Sequence, residues 1–206
     1  MTREQFTAVH LTPRVRLYPF GSPAPQVEPG WLALAQLPPQ QASGVVFGDG
    51  SHPTTRLCAT VLDLLCRQRQ PEAVLDVGTG TGVLARIARA RGVEFVVGTD
   101  IDLGALDCAK AHADLDAHGV AIELSADAPD SWGARFDIVV ANILEEPLRL
   151  LAPSLSRALS PGGALLLSGF TRPQAPALRA LYERAGLTLV SETRRDEWAL
   201  LMFERA

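Results

Sequence analysis

Three glycines spaced two residues apart follow a short apolar run, and a carboxylate ends the next apolar run along the chain. The glycines are Gly78, Gly80 and Gly82, and the carboxylate is Asp100, 22 residues after Gly78 (100 − 78). Glycines at a strand-to-helix turn allow positive φ angles and let a ligand lie against bare main chain. A carboxylate at this spacing suits the two hydroxyls of a ribose. The spacing therefore predicts a nucleoside-cofactor site formed by these four residues.

Two cofactors fit this turn. The NAD pattern, G-x-G-x-x-G/A, fails from Gly78 but fits from Gly80, with Ala85 in its last position. The acidic-x-Gly-x-Gly-x-Gly pattern of class I S-adenosylmethionine (SAM) methyltransferases fits from Asp76 without adjustment. SAM has an ammonium group and no pyrophosphate, so a carboxylate at Asp76 would suit it. The alternative is that Asp76 only bonds nearby loop amides. The turn favours SAM over NAD.

The apolar pattern from residue 54 onward alternates between the periods of helix and strand. A chain of 206 residues with 47% hydrophobic content is long enough for one sizeable α/β core. The predicted strands are Ala73–Val77, Phe95–Thr99, Val120–Leu124, Phe136–Val140, Ala164–Leu167, Leu187–Glu192 and Trp198–Phe203. The predicted helices are Thr54–Arg69, Val83–Arg91, Leu103–His118 closed by Gly119, Pro147–Leu159 and Pro173–Ala185. Continuous apolar strands between helices indicate a parallel sheet covered on both faces.

The last two strands distinguish between the cofactors. They are too close in sequence for a parallel crossover, so they must pair as an antiparallel hairpin. We therefore predict a doubly wound, mostly parallel seven-stranded sheet with a C-terminal antiparallel hairpin, which is the class I methyltransferase, Rossmann-like layout. A nucleotide dehydrogenase would also need a substrate domain, for which no residues remain. The predicted cofactor is SAM, with an NAD-dependent oxidoreductase as the less favoured alternative.

The amino-acid composition limits the domain organisation and the classes of binding partner that we expect. Residues 1–45 are rich in proline, which disfavours helix, and we predict an extended arm or small sheet packed on a methyltransferase domain at 46–206. A net charge of −4 disfavours a nucleic-acid partner held by electrostatics. No apolar run is long enough for a membrane span, and the N-terminus lacks a signal peptide's apolar core, so we expect a cytoplasmic protein without a membrane partner. No metal-ligand spacing is seen, and we expect no metal.

Three positions outside the glycine turn each have two interpretations. The loop Phe-Gly-Asp-Gly-Ser-His-Pro-Thr-Thr at 47–55 contains His52 and Thr54, which could form a lid; its threonines could cap the following helix, and both roles can hold at once. Asn142 follows the strand that ends at Val140 and could orient an amine toward a methyl group, or could act in a cap with Glu145 three residues on. Asp127 is a candidate for the adenine amino group or a solvated turn acid.

Four motifs in order resemble the catalytic domain of the PrmA family, bacterial lysine methyltransferases of large-subunit ribosomal protein eleven. They are the loop at 47–55, Asp-Val-Gly-Thr-Gly-Thr-Gly-Val-Leu-Ala at 76–85, Gly-Thr-Asp-Ile-Asp at 98–102 and Ala-Asn-Ile-Leu at 141–144. The resemblance runs from about Val46 to the end and includes Glu197-Trp198, so Trp198 joins the lid or substrate candidates. It implies that Thr55, Gly78, Asp100 and Asn142 contact SAM, and that Asn142 borders the target amine.

The function implied by the resemblance is SAM-dependent N-methylation of a protein, with a ribosomal protein as the expected acceptor. Two departures keep alternatives open. The family usually has threonine where Asp49 stands, and residues 1–45 are too short and too different to be the PrmA domain that grips the ribosomal substrate. The alternatives are methylation of a small molecule and a non-catalytic SAM-binding domain.

Overall fold

The structure is a computed structural model that describes residues 8–37, 47–116, 121–132 and 136–206. Its strands are β1 (Val9–Thr12), β2 (Val15–Pro19), β3 (Leu32–Gln36), β4 (Ala73–Val77), β5 (Phe95–Thr99), β6 (Glu123–Ser125), β7 (Phe136–Asn142), β8 (Leu159–Thr171), β9 (Leu187–Arg195) and β10 (Trp198–Arg205). Its helices are α1 (Pro53–Arg69), α2 (Val83–Ala90), α3 (Leu103–Ala113), α4 (Glu145–Leu150), α5 (Ala152–Ala158) and α6 (Ala175–Arg184), with a 3₁₀ turn at Arg172–Gln174.

Seven strands form the central sheet in the order β6-β5-β4-β7-β8-β10-β9. Neighbours from β6 to β8 are parallel, whereas β10 runs antiparallel to both β8 and β9. One face packs against α1 and α2 through Leu57, Leu62 and Ile87. The other face packs against α4, α5 and α6. The predicted doubly wound sheet with a C-terminal antiparallel hairpin is confirmed.

The predicted elements differ from the structure mainly at their ends. The strands Ala73–Val77 and Phe95–Thr99 have the predicted bounds. The helix that begins at Leu103 ends at Ala113 and not at His118, while Gly119 lies outside the described residues. The strand predicted over Ala164–Leu167 extends over Leu159–Thr171, because parallel pairing with β7 and antiparallel pairing with β10 hold both of its edges.

The single helix predicted over Pro147–Leu159 is wrong. The chain forms α4 and α5 instead, with Leu151 as the C-cap of the first and the N-cap of the second. Pro153 lies in the first turn of α5, where its missing N–H is tolerated. In one continuous helix its ring would clash with the carbonyl of Arg149. The break therefore lies where proline requires it.

A second, three-stranded sheet precedes α1. Strands β1 and β2 pair antiparallel, and β2 and β3 pair parallel. Leu11, Val15, Leu17 and Leu34 from this sheet belong to the same buried apolar cluster as α1 and α2. Within the described residues, no helix is long and apolar enough to cross a membrane.

Candidate functional site

A cavity of about 770 Å³ opens at the carboxyl edge of the parallel strands, a size typical of small-molecule sites. Residues that follow four adjacent strands line it: Gly78 after β4, Asp100 after β5, Asp127 after β6 and Asn142 at the end of β7. The chain crosses from one side of β4 to the other between β6 and β7, so this edge is the topological switch point where α/β sheets bind ligands. The structure therefore brings these four predicted residues together.

The glycine turn presents main chain to the cavity at Gly78 and Gly80. Gly78 has φ +71°, and a Cβ there would lie 2.2 Å from Cγ2 of Ile143. The N–H of Gly80 donates to Oδ2 of Asp100 over 3.1 Å, which ties the turn to β5. Gly82 does not line the cavity. It precedes α2, where a Cβ would lie 3.1 Å from Cβ of Ala109, so its smallness lets α2 approach α3.

Two of the predicted carboxylates face the cavity. Asp100 is half-buried and accepts from the amides of Gly80 and Asp102, the latter at 3.0 Å, and each oxygen keeps a lone pair for a ribose hydroxyl. Asp127 is exposed, and its Oδ2 accepts from the Ser125 hydroxyl over 2.7 Å. It therefore makes the hydrogen bond of a turn acid while lining the cavity.

Asp76 lies behind the glycine turn, outside the lining of the cavity. Its Oδ2 accepts from the Thr79 hydroxyl at 2.7 Å and from the Ala85 amide at 3.2 Å, so it joins the turn to the first residues of α2. Burial raises the pKa of the Asp76 carboxyl to about 6; the bonds from Thr79 and Ala85 lower it, and the charge of Asp100 raises it. The alternative interpretation expected loop amides as partners of Asp76, whereas the partners are the Thr79 hydroxyl and an amide of α2.

Asn142 ends β7 between β4 and β8, with its side chain at the cavity. Its Nδ2 donates to Oγ1 of Thr55 over 3.4 Å. Its Oδ1 is buried and accepts no hydrogen bond from the described residues. The N-cap of α4 is Leu144, without a side-chain hydrogen bond, so the capping alternative for Asn142 is wrong. Thr55 is buried outside the cavity lining and reaches the site through Asn142.

His52 connects the entrance of the cavity to α1. It is the N-cap of α1, and its Nδ1 accepts from the Thr54 amide at 3.3 Å, so the predicted threonine cap is wrong. Thr54 and His52 both line the cavity. The His52 ring packs edge-on against Phe47 and Trp198, with centroids 5.0 Å and 4.7 Å away. These three rings form an aromatic wall.

Several lining residues were not among the predicted site residues, including Phe47, Ile143 and Gly169. Phe47 begins the loop motif at 47–55, and Ile143 directly follows Asn142. Gly169 lies in β8, and a Cβ there would stand 2.1 Å from the carbonyl oxygen of Ile143. An isolated glycine within a strand pattern marks such a close approach and was the available signal. Within the described parts of the chain, no cluster of metal-ligating side chains accompanies these residues.

Comparison with known sequences gives one consistent family. The family model for ribosomal protein L11 methyltransferase (PrmA) matches residues 22–206, a range that begins ahead of Val46. A ribosomal protein L11 methyltransferase from Ralstonia nicotianae is 38% identical over 202 residues, which are 98% of this chain and 63% of the relative. One from Geobacter sulfurreducens is 40% identical over 181 residues, 86% of this chain and 59% of the relative. The chain thus spans about three fifths of the length of these relatives.

Two solved structures extend the comparison. A ribosomal protein L11 methylase from Lactobacillus delbrueckii subsp. bulgaricus superposes with a TM-score of 0.83 at 28% identity, covering 97% of this chain and 99% of that one. Magnesium protoporphyrin IX methyltransferase from Synechocystis, solved with bound SAM, gives a TM-score of 0.62 at 19% identity and covers 78% and 84% of the two chains. The second likeness shows a shared fold alone.

Proposed function

We propose, because the chain belongs to the ribosomal protein L11 methyltransferase (PrmA) family, that it transfers the methyl group of SAM to an amine of a protein, with a lysine of a ribosomal protein as the expected acceptor. SAM is a cation at its sulfonium and its ammonium. Asp76, Asp100 and Asp127 lie in or directly behind the cavity, and this concentration of negative charge favours a cationic ligand. This charge supports SAM as the cofactor, whereas the acceptor is expected from the family.

The residues present fit SAM. Gly78 lines the cavity with main chain alone, and Cγ2 of Ile143 occupies the space that a Cβ would need. The free lone pairs of the Asp100 carboxylate suit the two ribose hydroxyls, and Asp127 stands on the adjacent strand end, where the adenine amino group is the expected contact. A bound SAM would supply an electrophilic methyl group on a sulfonium.

The observation that carries the proposal is the unpartnered Oδ1 of Asn142. A buried amide oxygen without a donor costs stability unless a ligand supplies one. The bond from Nδ2 to Thr55 fixes the amide so that Oδ1 is the free atom. When an amine donates an N–H to this oxygen, the lone pair of the amine nitrogen is held in a fixed direction. Orientation of this kind is what a methyl transfer requires of the protein.

The acceptor must be neutral to react. A lysine amine has an ordinary pKa near 10.4 and is an ammonium at neutral pH. Apolar Ile143 and the aromatic wall line the cavity, so an amine that entered it would lose part of its hydration. Desolvation and a nearby positive charge both lower the pKa of an ammonium, so the amine would give its proton to solvent as it enters the cavity. No strong general base is then needed.

The test is incubation of the pure protein with SAM carrying a labelled methyl group and with ribosomal proteins. Label on protein amines supports the proposal, and the same proteins with acetylated lysines and N-termini serve as the matched control that should stay unlabelled. Label that enters only small molecules of a cell extract would support the alternative acceptor class. SAM binding without any transfer would support a non-catalytic binding domain. Equilibrium dialysis with NAD in place of SAM checks the oxidoreductase alternative.

A further inference from the structure

Residues 47–52, called the entrance loop below, lie directly against the glycine turn. The Thr81 hydroxyl donates to the Gly48 carbonyl over 2.7 Å, and the Thr81 amide donates to the Phe47 carbonyl over 3.1 Å. A Cβ on Gly48 would stand 2.8 Å from Oγ1 of Thr81, so the entrance loop packs closely against the glycine turn. Any displacement of the entrance loop therefore moves Phe47 and His52 relative to the rest of the cavity.

The opposite side of the entrance loop rests on the small sheet. Gly50 has φ +84°, and a Cβ there would lie 2.8 Å from Cδ1 of Leu17 and 3.1 Å from Cδ1 of Leu11. Leu17 in β2 is fully buried, and Leu11 in β1 is 2% exposed. The Gly50 carbonyl accepts from Nε of Arg56 in α1 over 2.9 Å. The entrance loop therefore lies between the small sheet and the glycine turn and contacts both.

The small sheet is itself fixed to the methyltransferase core at its other end. The buried guanidinium of Arg86, on α2, donates from Nη2 to the Ala35 carbonyl over 2.6 Å and from Nε to Asp116 over 2.6 Å. The Leu37 amide donates to Nε2 of His112, on α3, over 3.2 Å. These bonds hold β3 against α2 and α3, so the sheet bridges the helices behind the site and the loop at its entrance.

We propose that the sheet β1–β3 is a platform that sets the position of the entrance loop, and that Leu17 is a positioning residue for the methyl transfer. Leu17 acts through Gly50 on His52 and Phe47, which form two rings of the aromatic wall. The effect on turnover rests on the function proposed above. The contact between sheet and loop does not, so the two can fail separately.

The experiment compares Leu17→Ala with Leu34→Ala. Both remove a fully buried leucine from the small sheet, so each deletion leaves a cavity and destabilises the fold. Of these two leucines, Leu17 is the one that approaches a Cβ placed at Gly50. Hydrogen exchange of the peptide that contains residues 47–52 is expected to quicken in Leu17→Ala and to stay at the wild-type rate in Leu34→Ala. The kcat of Leu17→Ala should fall by about tenfold to a hundredfold, the cost of misplacing groups at a reacting centre. SAM affinity should change little, because Asp100 and Gly78 are left in place.

Equal loop exchange and equal kcat in the two leucine variants would overturn the proposal. If neither leucine variant folds, Gly50→Ala takes their place, with Gly21→Ala as its control. Both glycines have positive φ, +84° and +86°, but a Cβ on Gly21 meets nothing within 4 Å. The proposal predicts altered loop exchange in Gly50→Ala only, and no difference between the two glycine variants would refute it. Altered loop exchange in a protein that transfers no methyl group would support the role of the small sheet in positioning the entrance loop. The same result would contradict the proposed methyl transfer.

Discussion

Replacement of Asp76 by asparagine tests how a buried carboxylate behind the glycine turn affects the stability of the fold. Asp76 is 1% exposed, and its Oδ1 has no donor among the described residues. Burial raises the pKa of the carboxyl from 3.8 to about 6, even though the hydrogen bonds from Thr79 and Ala85 oppose the rise. The native state therefore binds this proton more tightly than the unfolded state does between these two pH values.

The sign of the effect follows from that difference in proton binding. The stabilising contribution is fully present below about pH 4 and is lost as the pH rises through about 6. A difference of about 2 in pKa, at about 1.36 kcal/mol for each pKa unit, corresponds to about 3 kcal/mol. In Asp76→Asn the carbonyl oxygen can still accept from Thr79 and Ala85, but the ionisation is gone. The free energy of unfolding of the wild type, minus that of the variant, should fall by about 2 kcal/mol between pH 4 and pH 7, because part of the total is already lost at pH 4.

The measurement is denaturant unfolding of both proteins at a series of pH values, followed by circular dichroism. Asp107→Asn, which removes an exposed carboxylate from α3, is the matched control and should show a nearly constant difference from the wild type. A constant difference between wild type and Asp76→Asn over the same range would refute the reasoning. It would mean that the carboxylate is solvated or paired in solution.

Three further predictions concern the cavity. Gly78→Ala should abolish measurable SAM binding in calorimetric titration, because its Cβ would lie 2.2 Å from a side-chain carbon of Ile143. The control Gly162→Ala, with a similar φ (+75°) and open space around it, should bind SAM normally. Equal SAM affinities of the two variants would contradict the close contact between residue 78 and Ile143. Asp100→Asn should weaken SAM binding by about 1–3 kcal/mol through loss of charge-assisted hydrogen bonds, and an unchanged dissociation constant would remove Asp100 from the ribose site. Asn142→Ala should lower kcat far more than SAM affinity, whereas equal losses in both would make Asn142 a cofactor contact only.

The sequence by itself determined the sheet and the turn. Strands β4 and β5 are largely apolar runs that end directly before Gly78 and Asp100, so their bounds follow from short-range pattern alone. The closing hairpin follows from connection length, because residues 193–197 between the two predicted strands are too few for a parallel crossover. The glycine spacing predicted a ligand against main chain, since few other residues permit positive φ. All of these signals lie within a few residues of the feature that they predict.

Only the tertiary structure decided what the individual side chains do. Asn142 had two interpretations until its amide was found bonded to Thr55, 87 positions earlier in the chain, with Leu144 as the helix cap. Asp76 fits a cofactor motif in the sequence, yet its carboxylate points behind the turn. His52 lies beside Trp198 because α1 packs on the face of the sheet that contains β10, a contact that no local pattern encodes. The direction of a side chain at the end of a strand depends on residues that packing brings close to it. The spacing of residues along the chain does not specify which residues these are.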